Sequence, residues 1–273
     1  MSATAARAVV LFDLDDTLMA HREAVATGIV DHMLERAYEG DVEAAQRLWH
    51  ALEEEHYHSY LDGRMSFEGQ RRARARDFAR AHGDVLDDPA SGAWFDRYFE
   101  RYRDAWALHG DALPALDRLR RAFPGVRFGI ITNGESDFQR AKLERLGILD
   151  RFEHVIASGA LGVTKPDRRI FEHAIASFAE SAPVSHVAYV GDRLGTDALG
   201  AAAAGLDGVW IDRWATPVAP AEASAIAAAG VVVITGLDEL APRLSELWAH
   251  RTHPAPEGAE ARGPAPEERS ANG

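Results

Sequence analysis

Residues 8–18 read AVVLFDLDDTL, and this stretch decides the fold class. Its first five residues are apolar on both faces, and Asp13 follows at once. A short, valine-rich run of this kind is typical of a strand buried on both faces of a parallel sheet. The acidic residues that follow therefore stand at the carboxyl end of a strand, where open α/β sheets bind their ligands.

Runs of the same character recur downstream, at residues 126–131, 154–157, 187–190, 208–211 and 231–234. Segments with helical periodicity alternate with them, at residues 113–121, 138–146, 169–178 and 198–204. Gly147 and Gly205 follow two of these segments, at points where a helix would stop. Strands alternating with helices predict right-handed crossovers and an α/β fold with a doubly wound, Rossmann-like parallel sheet.

A long segment without strand character, residues 20–105, separates the first two predicted strands and is helical by pattern. We expect it to form an inserted α-helical cap domain, with residues 1–19 and 106–250 forming the core. Residues 251–273 contain no Val, Ile, Leu or aromatic residue. Such a segment cannot bury enough surface to offset its ordering entropy, so we expect a disordered tail.

Aromatic residues recur every four positions near the end of the insertion, at Trp94, Tyr98, Tyr102 and Trp106. This spacing favours a helix whose aromatic face forms the core of the inserted module. The alternative is that the same face forms a wall towards a ligand.

The composition of the chain indicates which classes of partner are not expected. The chain has 273 residues, is 47% hydrophobic and carries a formal net charge of −13 without a run of Lys or Arg. Nucleic acids and anionic membranes both select basic surfaces, so neither is expected as a partner. With no cysteine, the chain has no disulfide, thiolate metal site or cysteine nucleophile. No secretory signal or run of about 20 apolar residues is recognisable, and we expect a cytoplasmic location.

Polar residues at the predicted strand ends are the candidates for chemistry: Asp13, Asp15, Thr132, Asn133, Lys165, Asp192 and Asp197. The four carboxylates would repel one another unless a cation compensated them. Oxygen ligands without histidine or thiolate favour Mg²⁺. A phosphoryl group suits such a site, because a metal ion, Lys165 and backbone amides can each stabilise its oxygens. One aspartate can then attack phosphorus while a second carries the proton.

These motifs together resemble the haloacid dehalogenase superfamily of phosphohydrolases. Residues 13–18, DLDDTL, look like its first motif, DxDxT. Residues 131–134, ITNG, resemble the second motif, Lys165 with Pro166 the third, and residues 191–197, GDRLGTD, the fourth. The resemblance covers residues 9–212, and the position of the insertion is similar to that of the subfamily with a helical C1 cap.

The resemblance implies a role for each residue. Asp13 would be the nucleophile and Asp15 the general acid and base. Asp13, the Asp15 main-chain carbonyl and Asp192 would bind Mg²⁺, with Asp197 holding a metal-bound water. Thr132, Asn133 and Lys165 would bind the phosphoryl group. Because Asp15 must both donate and accept a proton, we expect its environment to raise its pKa relative to that of Asp13.

The substrate is expected to be a small phosphorylated metabolite, such as a nucleotide or a sugar phosphate, and the oligomeric state stays open. One alternative is a dehalogenase of the same fold, although such enzymes resemble this pattern without the second aspartate, here Asp15. Another is a phospho-accepting module like a receiver domain, which is smaller and has no inserted cap.

Further predictions concern residues outside the motifs. Arg193 departs from the small or acidic residue expected beside Asp192, and it either pairs on the surface or contacts substrate. The cap is expected to swing on residues 19–21 and 108–111. His21 and Arg64 are candidates for contacting the leaving group.

Overall fold

The computed structural model describes residues 7–38 and 40–251. Six parallel strands form one sheet in the order β3-β2-β1-β4-β5-β6. The strands are β1 Arg7–Phe12, β2 Arg127–Thr132, β3 His154–Ala157, β4 Val184–Gly191, β5 Asp207–Ile211 and β6 Val232–Ile234. All six predicted strands form, and the largest difference is that β4 begins at Val184 rather than at residue 187.

Helices follow or separate the strands throughout the described chain. Between β1 and β2 lie α1 His21–Glu35, α2 Val42–Leu61, α3 Phe67–Ala81, α4 Asp88–Asp104 and α5 Ala112–Ala122. The later helices are α6 Ser136–Arg145, α7 Ser158–Leu161, α8 Arg168–Ala179, α9 Gly200–Ala203, α10 Pro220–Ala229 and α11 Leu240–Arg251.

Both faces of the sheet are covered, as a parallel sheet requires. In β1, Val9 and Leu11 pack in the cluster that contains Phe171 and Phe178 of α8. Their neighbours Val10 and Phe12 pack in the other cluster, which contains side chains of α5 and α11. Successive strand residues thus face opposite layers, and the predicted doubly wound α/β fold with a helical insertion is confirmed.

Helices α1 to α4 form the insertion. Three of them begin with side-chain caps, because Asp41, Ser66 and Asp87 each accept a hydrogen bond from a backbone N–H in the first turn. Trp49 of α2 is fully buried among aromatic rings of α3 and α4. The four helices therefore pack around buried aromatic rings, and these rings are continuous with the core on one face of the sheet.

Only three of the four regularly spaced aromatic residues lie on α4. Trp94, Tyr98 and Tyr102 are buried on this helix, as the core interpretation predicts. Trp106 lies beyond the end of α4 at Asp104, so the helical prediction is wrong there. Tyr98 and Tyr102 also line a cavity described below, so the same face contributes to the core and to a cavity wall.

The chain enters and leaves the helical insertion through two adjacent segments. Ala20 donates a backbone hydrogen bond to the carbonyl of Ala107 at 2.9 Å, and His109 donates one to Leu18 at 2.9 Å. A bridge between Met19 and Leu108 completes the pairing. Both connections between the helical insertion and the rest of the chain therefore lie side by side. The swing of the cap expected there stays a prediction.

One predicted helix differs in form. Residues 198–204 were expected to be regular helix, but a π-helical turn, Leu194–Leu199, precedes the short α9. The turn begins where Asp197 bonds back to Arg193, through both its N–H and its side chain. This widened turn directs the Asp197 carboxylate inwards, and such turns often occur at functional sites.

No helix within the described ranges is long and apolar enough to cross a membrane. The predicted tail lies outside the described residues, except for Arg251, the last residue of α11.

Candidate active site

A cavity of about 690 Å³ lies over the carboxyl ends of β1, β2 and β4, beneath helices α1 to α4. Its volume falls within the range of roughly 300–1,000 Å³ that is usual for small-molecule sites. Each residue predicted for the site lines it: Asp13, Asp15, Thr132, Asn133, Lys165, Asp192 and Asp197. Four loops that are far apart in sequence are therefore brought together as expected.

Lys165 is buried at the centre of the cavity floor. Its Nζ donates hydrogen bonds to Asp13 Oδ1 at 2.6 Å, to Asp197 Oδ1 at 2.8 Å and to the Tyr189 hydroxyl at 2.7 Å. Burial would lower the pKa of Lys165, but Asp13 and Asp197 outweigh burial and raise it. The ammonium therefore stays charged and fixes the Asp13 carboxylate.

Asn133 holds the Lys165 loop against the end of β2. Its Oδ1 accepts the backbone N–H of Lys165 at 2.8 Å, and its Nδ2 donates to the Lys165 carbonyl at 3.2 Å. Thr132 is the last residue of β2 and is buried on the cavity wall. The peptide bond between Lys165 and Pro166 is cis. These contacts set the position of the lysine relative to Asp13.

Three carboxylates form a group that could hold a metal ion. Asp13, Asp192 and Asp197 each offer an oxygen, and these atoms lie within 4.8 Å of one another. Burial, followed by the charge of nearby carboxylates, raises the pKa of Asp192 well above its usual value. Burial also raises the pKa of Asp13 to about 7, although Lys165 opposes the change. One ammonium cannot balance three closely grouped carboxylates, so the site fits a further cation with a preference for oxygen ligands.

Gly191 shows how closely this group is packed. A Cβ atom at this position would come within 2.4 Å of the Asp197 carboxylate. Only glycine therefore lets the Asp197 side chain pass over the end of β4 to reach Lys165.

Asp15 differs from the prediction. Its carboxylate lies outside the group of three and accepts hydrogen bonds from Lys142 Nζ at 2.7 and 2.8 Å. Burial would raise its pKa, but Lys142 and His21 outweigh burial and hold the pKa of Asp15 below its usual value. The expectation that Asp15 would have a higher pKa than Asp13 is therefore wrong in this structure, because two cations face Asp15.

His21 lines the cavity beside Asp15, where a leaving-group contact was predicted. Its Nδ1 lies 2.9 Å from the Tyr102 hydroxyl and 3.9 Å from Asp15 Oδ1, while its Nε2 lies 3.6 Å from Glu53 Oε2. Burial would lower the pKa of His21, but Asp15 and Glu53 raise it to about 9. A protonated imidazole therefore links the first motif to α2.

The other cap candidate, Arg64, does not line the cavity. It follows α2 in an exposed turn and pairs with Asp62 at 2.8 Å, so this prediction is wrong. The prediction failed because an arginine near the end of an inserted helix carries no sequence signal for the side it faces.

Arg193 pairs with Glu54 of α2, at 2.6 Å between Nη2 and Oε1. Two further bonds join α2 to the second-motif loop, from Tyr57 to the Asn133 carbonyl at 3.0 Å and from Tyr60 to Glu135 at 2.7 Å. The ion pair corresponds to the surface pairing considered for Arg193, whereas neither tyrosine contact was predicted. Helix α2 thus joins the insertion to the second-motif and fourth-motif loops through polar contacts.

Two buried site residues were also missed, Tyr189 and Lys142. Tyr189 lies within a strand run and reads as ordinary core, although its hydroxyl contacts Lys165. Lys142 lies one turn after Gln139 on α6, and both are buried. Two polar side chains three residues apart lie on the same face of a helix, and this helix must pack one face against the sheet. The spacing therefore indicates a buried polar pair, and a buried charged side chain must find a partner.

Several relatives with named activities match the chain. Phosphoserine phosphatase of Thermus thermophilus is 35% identical over 147 residues, which are 54% of this chain and 57% of that protein. The chain thus matches little more than half of that relative's length. Glyceraldehyde 3-phosphate phosphatase of Pyrococcus abyssi is 32% identical over 215 residues, which are 74% of this chain and 80% of that protein.

A solved structure shows the same fold. The magnesium-bound HAD-hydrolase YfnB of Bacillus subtilis superposes with a TM-score of 0.70 at 20% identity, covering 88% of this chain and 99% of that one. The family model described as haloacid dehalogenase-like hydrolase matches residues 8–205, a span that contains all four motif loops. The chain belongs to the haloacid dehalogenase-like hydrolase family.

Proposed function

We propose that the protein is a magnesium-dependent phosphatase that hydrolyses a small phosphomonoester through a phosphorylated Asp13. The observation that carries this proposal is the buried Asp13 carboxylate at the cavity floor, bonded to Lys165 and adjoined by Asp192 and Asp197. The named phosphatases among the relatives support the same reaction class.

In the first half-reaction, a carboxylate oxygen of Asp13 attacks phosphorus and the bond from phosphorus to the leaving oxygen breaks. Asp15 donates a proton to that oxygen, so an alcohol leaves and Asp13 carries the phosphoryl group. Lys165 supplies positive charge beside Asp13 and orients its carboxylate. Thr132 and the Asn133 region line the same floor, where they can donate to the phosphoryl oxygens.

In the second half-reaction, a water molecule attacks phosphorus while Asp15 accepts its proton. The bond between phosphorus and Asp13 breaks, and inorganic phosphate leaves. The ion pair with Lys142 keeps Asp15 in its carboxylate form, which is the form that this second step needs. The first step needs the protonated form, which Lys142 disfavours.

The residues fit Mg²⁺ held by Asp13, the Asp15 main-chain carbonyl and Asp192, with Asp197 bound through water. Once bound, the ion supplies positive charge that stabilises the phosphoryl oxygens. The excess of buried carboxylate over ammonium at the site supports this assignment.

The cap closes the site in this proposal. Glu54, Tyr57 and Tyr60 of α2 bond to two of the motif loops, which holds the cap against the cavity. The paired segments at Met19 and Leu108 provide one hinge line. Movement between domains is the subject of the magnesium-bound YfnB structure, which has the same fold.

Release of phosphate from p-nitrophenyl phosphate tests the proposal. Wild-type protein with Mg²⁺ should turn this substrate over, and Asp13→Asn should retain less than about 1% of the rate, because no other side chain replaces the nucleophile. Release of halide from a 2-haloacid, with no phosphate from any phosphomonoester, would instead identify a dehalogenase. Asp15 argues against that result, because a departing halide needs no proton.

A further inference from the structure

Arg193 connects the group of three carboxylates to the cap. Its neighbour in sequence is Asp192, a member of that group, and its backbone N–H donates to Asp197 Oδ2 at 3.0 Å. Its side chain pairs with Glu54 of α2, at 2.6 Å between Nη2 and Oε1 and 3.3 Å between Nη1 and Oε2. One residue therefore contacts the candidate metal site through its backbone and the cap through its guanidinium group.

The loop that carries Asp192 is held by partners from the core and from the cap. Trp210 of β5 donates its indole N–H to the Asp192 carbonyl at 2.8 Å, and Asp197 accepts the backbone N–H of Arg193. Both of these partners belong to the core, so their bonds do not depend on the cap. Glu54 is the partner that the cap supplies, and any movement of α2 away from the core withdraws it.

Other carboxylates besides Glu54 attract the Arg193 guanidinium. Partial burial would lower the pKa of Arg193, but Glu54, followed by Asp192 and Asp197, outweighs burial and raises it. Arginine has a long side chain with many rotamers, so Arg193 can turn towards Asp192 when Glu54 is withdrawn. In that position the guanidinium would neutralise the negative charge that attracts a cation to the site.

The ion pair between Arg193 and Glu54 contributes little to folding. The two side chains are 47% and 35% exposed, and ion pairs as exposed as this one typically contribute less than about 1 kcal/mol. Tyr57 and Tyr60 would still join α2 to the second-motif loop without it. Variants at Arg193 or Glu54 should therefore keep the fold, and their effects on the metal site can be measured.

We propose that Glu54 is a positioning residue that keeps the Arg193 guanidinium away from the metal-binding carboxylates while the cap is docked as in this structure; this inference rests on the Mg²⁺ site of the proposed function. When α2 moves away, Arg193 turns to Asp192 and Asp197 and competes there with the cation. Cation binding and docking of the cap are then coupled, because each favours the other through Arg193. The site consequently binds its cation most tightly when the cap covers the cavity.

Charge effects at a distance would produce a different pattern. If Glu54 and Arg193 acted on the cation independently, removing the carboxylate would weaken Mg²⁺ binding, removing the guanidinium would strengthen it, and the two effects would add in the double variant. If Glu54 acts through Arg193, removing Glu54 has no effect once Arg193 is gone. A double-mutant cycle distinguishes these two cases.

Calorimetric titration with Mg²⁺ alone, on the full chain without substrate, measures this cycle. In Glu54→Gln the Kd for Mg²⁺ should rise about tenfold, because the released guanidinium competes with the cation. In Arg193→Gln the Kd should equal that of wild type or fall below it. In the double variant it should lie within about twofold of the Arg193→Gln value. Glu55→Gln, which removes an exposed carboxylate from the next position of α2, should keep the wild-type Kd.

Asp192→Ala, in which Mg²⁺ binding should be weak or lost, shows that the titration measures this site. A wild-type Kd in Glu54→Gln would overturn the inference, and so would a double variant that binds Mg²⁺ about tenfold more weakly than Arg193→Gln. In either case, hydrolysis of p-nitrophenyl phosphate that needs Mg²⁺ and Asp13 would leave the proposed function standing. Wild-type protein that bound no Mg²⁺ would overturn both.

Discussion

Lys142 Nζ lies 2.7 and 2.8 Å from the two carboxylate oxygens of Asp15, and the Lys142 side chain is almost completely buried. The lysine comes from α6, which follows the second-motif loop, and so it fixes an aspartate of the first-motif loop from across the site. Breaking a buried ion pair from one side leaves the other charge without compensation. The orientation of Asp15 therefore depends on Lys142.

Lys142→Met should consequently disturb proton transfer more than phosphoryl binding. We expect kcat for an alkyl phosphate to fall by roughly 10- to 100-fold, because a misplaced acid or base loses most of its effect. The rate with p-nitrophenyl phosphate should fall as well, after a burst of p-nitrophenol, because both substrates share the second half-reaction in which Asp15 is the base. Arg140→Met, an exposed cation on the same helix, is the matched control. Wild-type turnover of both substrates by Lys142→Met would remove the positioning role of Lys142.

Asp15→Asn tests the proton carrier itself. Turnover of an alkyl phosphate should slow by roughly 10²- to 10⁴-fold, the range for loss of a general acid or base. Steady-state phosphate release with purified variant measures this directly. A variant as fast as wild type on an alkyl phosphate would contradict the role given to Asp15.

Magnesium dependence follows from the three grouped carboxylates. EDTA should abolish activity and Mg²⁺ should restore it, because the ligands that converge here among the described residues are carboxylate oxygens. Asp192→Ala should raise the Mg²⁺ concentration for half-maximal activity by about tenfold or more. The exposed Asp137→Ala variant should keep the wild-type requirement. Full activity in chelator, or rescue by Zn²⁺ alone, would refute the metal assignment.

The stability of the cap should depend on pH through His32. This side chain is 2% exposed against Trp94, and both of its ring nitrogens lack hydrogen-bond partners among the described residues. Burial, together with nearby arginines such as Arg36, lowers the pKa of His32 to about 4, from 6.5. The unfolded chain therefore takes up a proton below pH 6.5 that the folded protein resists down to about pH 4. Stability is fully present above pH 6.5 and is lost as the pH falls through this window.

Lowering the pH from 7.5 to 5 should reduce the free energy of unfolding through His32 by roughly 2 kcal/mol. Urea unfolding of wild type and His32→Leu at both pH values measures it. On acidification, the free energy of unfolding should fall by roughly 2 kcal/mol less in His32→Leu than in wild type. An identical pH dependence in both proteins would show that His32 contributes nothing.

The sequence predicted those features that local pattern determines. The apolar runs of β1 and β4 could be recognised because parallel strands are buried on both faces, and the residues that follow them had to meet at one edge of the sheet. Asp13, Lys165 and Asp192 come together for that reason.

What the sequence could not predict depends on packing between distant segments. The partner of Asp15 is Lys142, 127 positions away, and no pattern near either residue pairs them. Helical periodicity identified α2 without revealing that Tyr57 and Glu54 face the core loops. The π-helical turn that contains Asp197 was also not predicted, because side-chain bonds of Asp197 rather than local propensity support it.

The measurement that tests the central claim most directly is the location of the phosphoryl group in Asp15→Asn. Without its base, this variant should release p-nitrophenol in a burst of about one equivalent and then stall, because the second half-reaction lacks proton transfer. Rapid quenching and peptide mapping by mass spectrometry should place one phosphoryl group on Asp13. Phosphate on another residue, or continued turnover by Asp13→Asn, would contradict the account.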